Sequence, residues 1–242
     1  MKCLELFAGT GSIGRAFERL GWEVVSLDLD PKYNPTHVAD ILSWDHRLYP
    51  RGHFHFVWAS PVCTHYSIAR TTGGPRDLLS ADRLVRRALD IVEYFGCPWA
   101  MENPQSGLLK TRDLVRGLPF FDTSYCRYGY GYRKTTRIWS NLTLCLRTPC
   151  SIRDPCPAMV GNRHPKTAQQ SRRGNDPTDH NNTCSRAQLY SIPPTLCDEI
   201  AATANRMLLE TDDSTDQPDA RTHVPSPAAF VSEELRSNPS NL

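Results

Sequence analysis

The chain has 242 residues, with 28 Lys and Arg against 26 Asp and Glu and a formal net charge of +2. This length allows one full α/β domain with an appendage, and no apolar run approaches the roughly 18 residues of a transmembrane helix. Nine cysteines, an odd number, and an N-terminus without a signal-like apolar segment exclude a disulfide-rich secreted protein and predict reduced thiols and an intracellular location.

The first half of the chain alternates short apolar runs with amphipathic segments. The predicted order is strand 3–8, helix 12–20, strand 23–27, strand 36–39, strand 54–59, helix 79–95 and strand 99–101. Such alternation predicts βαβ units and a mostly parallel sheet, that is, a Rossmann-like doubly wound α/β fold. Polar residues follow the predicted strands, at the edge where open α/β sheets bind ligands.

The second half predicts a less regular organisation. We expect a core domain over 1–142, a small irregular insert containing Cys and His over 143–183, a closing segment with the last core helix over 184–210, and a tail over 211–242. The tail holds six acidic residues, two basic residues and four prolines, so we expect it to be disordered. Without it, 26 basic and 20 acidic residues remain. The near-neutral total therefore hides a basic body, which favours a nucleic-acid partner.

A glycine-rich loop separates the first predicted strand from the first helix. It consists of Phe7, Ala8, Gly9, Thr10, Gly11 and Ser12. Glycines let a ligand approach the backbone closely, and a helix N-terminus offers free N–H groups. Asp28, after the second strand, is placed to accept the hydroxyls of a ribose. The pattern predicts a nucleoside cofactor without distinguishing NAD from S-adenosylmethionine.

Cys63 and Glu102 follow two neighbouring predicted strands, and a parallel sheet would bring them together. A thiolate beside a carboxyl group that can be protonated suits addition to an electron-poor ring, with the acid at a ring nitrogen. The alternative for Cys63 is an ordinary buried cysteine.

Taken in order, these motifs resemble those of the DNA (cytosine-5) methyltransferases, and in particular small phage and viral members with a reduced target-recognition region. The matching pieces are residues 6–11, 28–30, 40–41, 60–64, 101–104 and 192–194. The resemblance covers roughly residues 3–141 and 186–207. The chain departs from the family pattern beside both reactive residues, where Pro-Val-Cys-Thr replaces Pro-Pro-Cys-Gln and Glu-Asn-Pro replaces Glu-Asn-Val.

The resemblance implies a cofactor, a substrate and a set of residue roles. S-adenosylmethionine would be held by Phe7, Ala8, Gly9, Thr10, Gly11, Ser12, Asp28, Leu29, Asp40, Ile41 and Pro61. Cys63, Glu102 and Arg137 would be catalytic, and Arg133, Lys134, Arg163 and Lys166 would contact nucleic acid. The implied reaction is methyl transfer to C5 of a flipped-out cytosine in DNA through a covalent bond from Cys63 to C6, by a monomeric enzyme.

The insert suggests a structural metal. Cys145, Cys150, Cys156 and His164 are the ligand types of a tetrahedral Zn²⁺ site. Unrelated reduced thiols in a loop are the alternative.

Two rival functions stay open. An RNA cytosine-5 methyltransferase could stack bases on Tyr125, Tyr128, Tyr130 and Tyr132, although these tyrosines could equally be core or strand residues. A weakly active or inactive nucleic-acid-binding relative would fit the altered residues beside Cys63 and Glu102.

Overall fold

The computed structural model describes residues 1–70, 74–166, 168 and 186–213 of the chain. Its strands are β1 (Lys2–Leu6), β2 (Glu23–Asp28), β3 (His37–Val38), β4 (Phe56–Ala59), β5 (Trp99–Pro104), β6 (Phe120–Ser124) and β7 (Thr135–Ser140). Its helices are α1 (Ser12–Arg19), α2 (Leu78–Phe95), α3 (Arg186–Tyr190) and α4 (Pro194–Asp213). The described residues do not include 167 and 169–185, which belong to the insert and to the first two positions of the closing segment. They also do not include the predicted acidic tail beyond α4.

The described strands form one seven-stranded sheet in the order β3-β2-β1-β4-β5-β7-β6. The first five are mutually parallel, and β7 runs antiparallel to both β5 and β6. The expected Rossmann-like α/β fold is confirmed. In the register, Leu6 lies beside Ala59, and Ala59 lies beside Met101. The loops that leave β1, β4 and β5 therefore start side by side at one edge of the sheet.

Alternation along the strands divides the core into two layers. Leu4 and Leu6 of β1 pack with α2 on one face, whereas Cys3 faces the layer that contains α1 and α4. A side-chain period of two residues places neighbours in a strand on opposite faces. Both faces of the parallel strands are thus buried, as βαβ connections require.

The helix ends follow local rules. The Asp77 side chain accepts the Ser80 N–H at the start of α2, and Gly96 ends that helix with φ +63°. The last helix extends past its predicted end at residue 209 to Asp213. None of the described helices is both long and apolar enough to cross a membrane.

The sequence patterns missed β6 and β7. Both belong to an antiparallel return at the sheet edge rather than to a βαβ unit. The β7 sequence Thr-Thr-Arg-Ile-Trp-Ser carries a charged residue in its middle and therefore lacks the continuous apolar run that predicts a buried strand. The predicted strand 36–39 shortens to the two residues of β3.

Candidate active site

The loop after β1 has an unusual backbone. Phe7, Gly9 and Gly11 all adopt positive φ, at 57°, 49° and 65°. Glycine enters this region freely, whereas a positive φ at Phe7 is uncommon and strained. The loop thereby turns its backbone back over the edge of the sheet.

Asp28 fixes this loop to the end of β2. Its Oδ2 atom accepts the Gly9 N–H at 2.7 Å, and its Oδ1 atom accepts the Asp30 N–H at 2.9 Å. The structure therefore brings together the glycine-rich loop and the carboxylate that the sequence analysis paired for cofactor binding.

Glu5 in β1 supports the same loop through a hydrogen bond to the start of α1, and the sequence analysis missed this residue. The side chain is buried, and its Oε1 accepts the Ile13 N–H at 3.1 Å. A Cβ on Gly14 would lie 2.6 Å from Oε2 of Glu5, so this glycine permits close approach. Burial raises the pKa of Glu5 to about 7, although the Gly14 and Ile13 backbone N–H groups oppose the shift.

Three further predicted cofactor residues follow β2 and β3. Leu29 is 68% exposed at the end of β2, and Ile41 is buried. Asp40 accepts the Leu42 N–H at 2.9 Å. Across the loop, Ser12 hydrogen bonds with the Thr10 hydroxyl at 2.8 Å and accepts the Ile192 N–H at 3.2 Å. The closing segment before α4 thus reaches the first loop of the chain.

Cys63 lies in the turn that follows β4. Its carbonyl accepts the N–H groups of Tyr66 and Ser67, and its side chain is half-buried. The fully buried Asn103 donates from Nδ2 to the Pro61 carbonyl at 2.9 Å and so ties this turn to β5. Burial raises the pKa of the Cys63 thiol, and the positive charge of Lys134 opposes that rise.

Glu102 has three neighbours around one oxygen atom. It is 6% exposed, and its Oε1 accepts hydrogen bonds from the hydroxyls of Thr136 and, at 3.2 Å, Tyr125. The Lys134 ammonium lies 3.9 Å from the same atom and donates to the Tyr125 hydroxyl at 3.3 Å. Burial first, and the nearby Glu102 carboxylate second, raise the pKa of Tyr125, so its hydroxyl stays a donor. Nothing in the sequence spacing marked Tyr125 or Thr136 as partners of Glu102.

Arg137, which the resemblance implies to be catalytic, does not approach Glu102 in this structure. In the antiparallel register Glu102 pairs with Ile138, so Arg137 occupies the opposite face of the sheet. There the guanidinium forms two hydrogen bonds of 2.8 Å with Asp122 and stacks 3.5 Å from the centre of the Phe120 ring. Lys134 and Thr136 approach Glu102 instead.

Comparison with known proteins gives the family. No family model matches the chain. The chain is 32% identical over 223 residues to a probable DNA (cytosine-5)-methyltransferase of Frog virus 3 (isolate Goorha), an alignment that covers 83% of this chain and 98% of the relative. The chain belongs to the DNA (cytosine-5)-methyltransferase family.

More distant similarity extends to solved structures of methyltransferases. A putative DNA modification methyltransferase encoded within an E. coli prophage is 14% identical, with a TM-score of 0.45 over 64% of this chain and 53% of that one. The Dnmt2 methyltransferase of S. pombe is 15% identical, with a TM-score of 0.42 over 58% of this chain and 50% of that one. This family member therefore spans about half the length of the solved chains it matches.

The basic residues expected to contact nucleic acid divide into two groups in this methyltransferase. Arg133 and Arg163 are exposed. Lys166 is half-buried and packs beside Gly131, where an added Cβ would lie 3.1 Å from its Cδ. Lys134 instead points into the site at Glu102. Its positive charge therefore lies beside Glu102 rather than at the outer surface.

The expected metal-ligand set needs one correction. Cys145 is exposed and does not belong to the cluster that the structure forms. Cys126 takes its place beside Cys150, Cys156 and His164. Because Cys126 precedes Cys150 by 24 positions in the printed sequence, no local ligand spacing indicated it.

The tyrosine cluster is part of the core. Tyr125, Tyr128 and Tyr132 are buried, and Tyr130 is half-buried with its hydroxyl 2.6 Å from that of Ser191. Rings in these positions do not offer free faces to single-stranded bases. The feature that favoured an RNA substrate therefore has a structural role in this family member.

Proposed function

We propose that this protein transfers a methyl group from S-adenosylmethionine to C5 of cytosine in DNA. One observation carries the proposal: Cys63 follows β4, Glu102 lies in the adjacent parallel strand β5, and Tyr125, Thr136 and Lys134 hold the carboxyl group of Glu102. A structural cysteine and a surface glutamate would not need such an arrangement.

The loop after β1 fits the cofactor. Its positive-φ glycines expose backbone at the edge of the sheet, next to the Asp28 carboxylate and the exposed Leu29 side chain. We assign the adenosine part to Asp28, Leu29, Asp40 and Ile41, and the amino-acid part to residues 7–12 and Pro61. When bound, S-adenosylmethionine supplies an electrophilic methyl group.

The reaction that we propose begins with the base outside the duplex, since C6 of a stacked cytosine is not accessible to a side chain. The Cys63 thiolate forms a bond to C6, and Glu102 delivers a proton to N3, so that electron density accumulates at C5. C5 then bonds to the methyl group as the bond from that methyl group to sulfur breaks, which would leave S-adenosylhomocysteine. Loss of the C5 proton to water restores the double bond and expels the Cys63 thiolate, and N3 returns its proton to Glu102, which leaves methylcytosine and the enzyme in its starting form.

The basic surface supports DNA as the substrate. Arg133, Arg163 and Lys166 are cationic side chains at or near the surface, and charges of this kind neutralise phosphates without reading sequence. We assign them to the DNA backbone, and we assign base reading to the small insert over 143–183. The printed name of the Frog virus 3 relative also favours DNA.

Methyl incorporation tests the proposal directly. Wild-type protein and the variants Cys63→Ala and Cys145→Ala receive labelled S-adenosylmethionine with duplex DNA, single-stranded DNA or RNA. We expect labelled duplex DNA with wild type and Cys145→Ala, and none with Cys63→Ala, because only Cys63 adds to the base. Cys63→Ala should still bind the cofactor in calorimetry with nearly wild-type affinity.

The remaining outcomes separate the rivals. Label in RNA alone would establish the RNA enzyme, and DNA binding without label in any substrate would establish the inactive relative. A duplex containing 5-fluorocytosine adds a second measurement, because fluorine at C5 blocks the final proton loss and traps the adduct. Mass spectrometry should find the adduct on the peptide that contains Cys63, and an adduct on another cysteine would contradict the assigned nucleophile.

A further inference from the structure

Three cysteines and one histidine converge beside β6, outside the proposed reaction centre. The ligand atoms of Cys126, Cys150, Cys156 and His164 all lie within 4.8 Å of one another. The Nε2 atom of His164 is 3.2 Å from the Cys156 sulfur and 3.8 Å from the Cys150 sulfur. The three cysteines are buried, and their sulfurs are free thiols rather than disulfides.

These distances match the shape of a tetrahedral metal site. Ligand atoms bound to Zn²⁺ at about 2.0–2.3 Å lie roughly 3.3–3.8 Å apart, so only small movements would close the cluster around an ion. Thiolate and imidazole ligands select Zn²⁺ among the common divalent ions of cells.

The apolar core around Cys150 and Cys156, in the described part of the insert, is small. It consists of Cys126, Cys150 and Cys156, with Ala158 and Met159 packed against them. Arg127 adds polar contacts, donating to the carbonyls of Thr148, Asp154 and Pro155. A short segment with so small an apolar core gains most from a bound metal.

We propose that Cys126, Cys150, Cys156 and His164 bind one structural Zn²⁺ ion that fastens the insert to the methyltransferase domain. Binding would release the thiol protons to solvent, leaving three thiolates and a neutral imidazole around the ion, with a net charge of −1. The Arg127 guanidinium, which pairs with Asp154 and donates to the Thr148 carbonyl, places a positive charge in the same part of the structure.

The backbone also connects the proposed zinc site to the reaction centre. Cys126 and Tyr125 are consecutive residues of the short 3-10 turn Tyr125–Tyr128, and the Tyr125 hydroxyl bonds to Glu102. An ion that holds Cys126 would therefore also hold Tyr125 against the carboxyl group. The inference stands on the cysteine and histidine geometry and does not depend on which base is methylated.

Metal content of the purified full chain tests the proposal. We expect about one zinc per chain, measured by plasma mass spectrometry, in wild type and in the matched control Cys145→Ser, which changes the exposed cysteine outside the cluster. Cys126→Ser should lose most of the metal. A wild-type protein that takes up no zinc when supplied with Zn²⁺, or a Cys126→Ser variant that retains it fully, would overturn the proposal.

Cobalt substitution adds a measurement on the wild-type protein that does not depend on how well a variant folds. Wild-type protein loaded with Co²⁺ should show the intense visible bands of a tetrahedral site and the near-ultraviolet charge-transfer band of thiolate ligands. His164→Cys should still bind Co²⁺, with an altered spectrum that indicates four sulfur ligands. Weak octahedral bands in wild type, or a spectrum unchanged by His164→Cys, would contradict the assigned ligand set.

Discussion

Lys134 lies beside Glu102, and its charge also acts on the Cys63 thiol; these are the two groups on which the proposed reaction depends. Its ammonium is 3.9 Å from Oε1 of Glu102 and 4.4 Å from the centre of the Tyr125 ring. Burial raises the pKa of the Cys63 thiol, and Lys134 is the cation that lowers it again. A single residue thus lies beside Glu102 and favours the thiolate of Cys63.

Replacing Lys134 should therefore slow every reaction of the Cys63 thiolate. In Lys134→Met the thiol pKa rises further, so less thiolate is present at neutral pH and the rate-against-pH curve moves to higher pH. Alkylation of the Cys63 peptide by iodoacetamide, followed by mass spectrometry from pH 6 to 9, measures this without any nucleic acid. Arg133→Met removes an exposed neighbouring charge and should leave the curve unchanged. Identical curves for wild type and Lys134→Met would refute the assigned role.

Single residues also show where sequence reasoning stops. Cys63, Glu102 and Asp28 could be found because each follows an apolar run at the carboxyl end of a parallel strand. The partners of Glu102 could not be found, because Tyr125 and Thr136 reach it through an antiparallel register that only the folded sheet defines. The same register places Arg137 on the face of the sheet opposite Glu102.

At the scale of whole elements, apolar periodicity predicted the parallel strands β1, β2, β4 and β5 and the helices α1, α2 and α4, with small shifts at the ends. It did not predict β6 and β7, since an amphipathic edge pair with charged and hydroxyl residues lacks a continuous apolar run. The predicted metal-ligand set was incomplete for a related reason. Cys126 lies in the turn after β6, and the sequence patterns did not predict that strand.

The contact between β1 and α1 provides a prediction at this scale. A Cβ on Gly14 would lie 2.6 Å from Oε2 of Glu5 and 3.1 Å from Cγ1 of Val24. Gly14→Ala gains about 1 kcal/mol of helix propensity, but overpacking a buried contact typically costs about 1–3 kcal/mol. We expect a net loss of stability in urea unfolding and weaker binding of S-adenosylmethionine in calorimetry, because the start of α1 must move.

Gly74→Ala is the matched control for that change. Among the described residues, no atom lies within 4 Å of the position that its Cβ would take, and its φ is not positive. This variant should unfold and bind the cofactor like wild type. If Gly14→Ala behaved in the same way, the proposed role of Glu5 in seating α1 would be wrong.

For the whole molecule, Glu5 makes stability depend on pH. Its pKa is about 7 in the folded protein because of burial, against an ordinary value of 4.5. The stabilisation from the protonated carboxyl is fully present below about pH 4.5 and is lost as pH rises through 7, because the unfolded chain ionises first. The loss amounts to about 2 to 3 kcal/mol between pH 5 and 8.

Urea unfolding at pH 5 and pH 8 measures this loss. Glu5→Gln cannot ionise, so its free energy of unfolding should fall less over this interval than that of wild type. Glu93→Gln changes an exposed glutamate on α2 and should keep the wild-type pH dependence. An equal fall in wild type and Glu5→Gln would show that another group is responsible.

The hydrogen bond from the Ile192 N–H to Ser12 joins segments 180 positions apart. Behind it, α4 packs against α1, with Asp198 paired to Arg19. On the ribosome, the glycine-rich loop is among the first parts to emerge, and its supporting helix is among the last of the described residues. The cofactor site therefore cannot be completed until residue 192 and α4 have been synthesised, and premature termination before residue 192 yields a protein without that support.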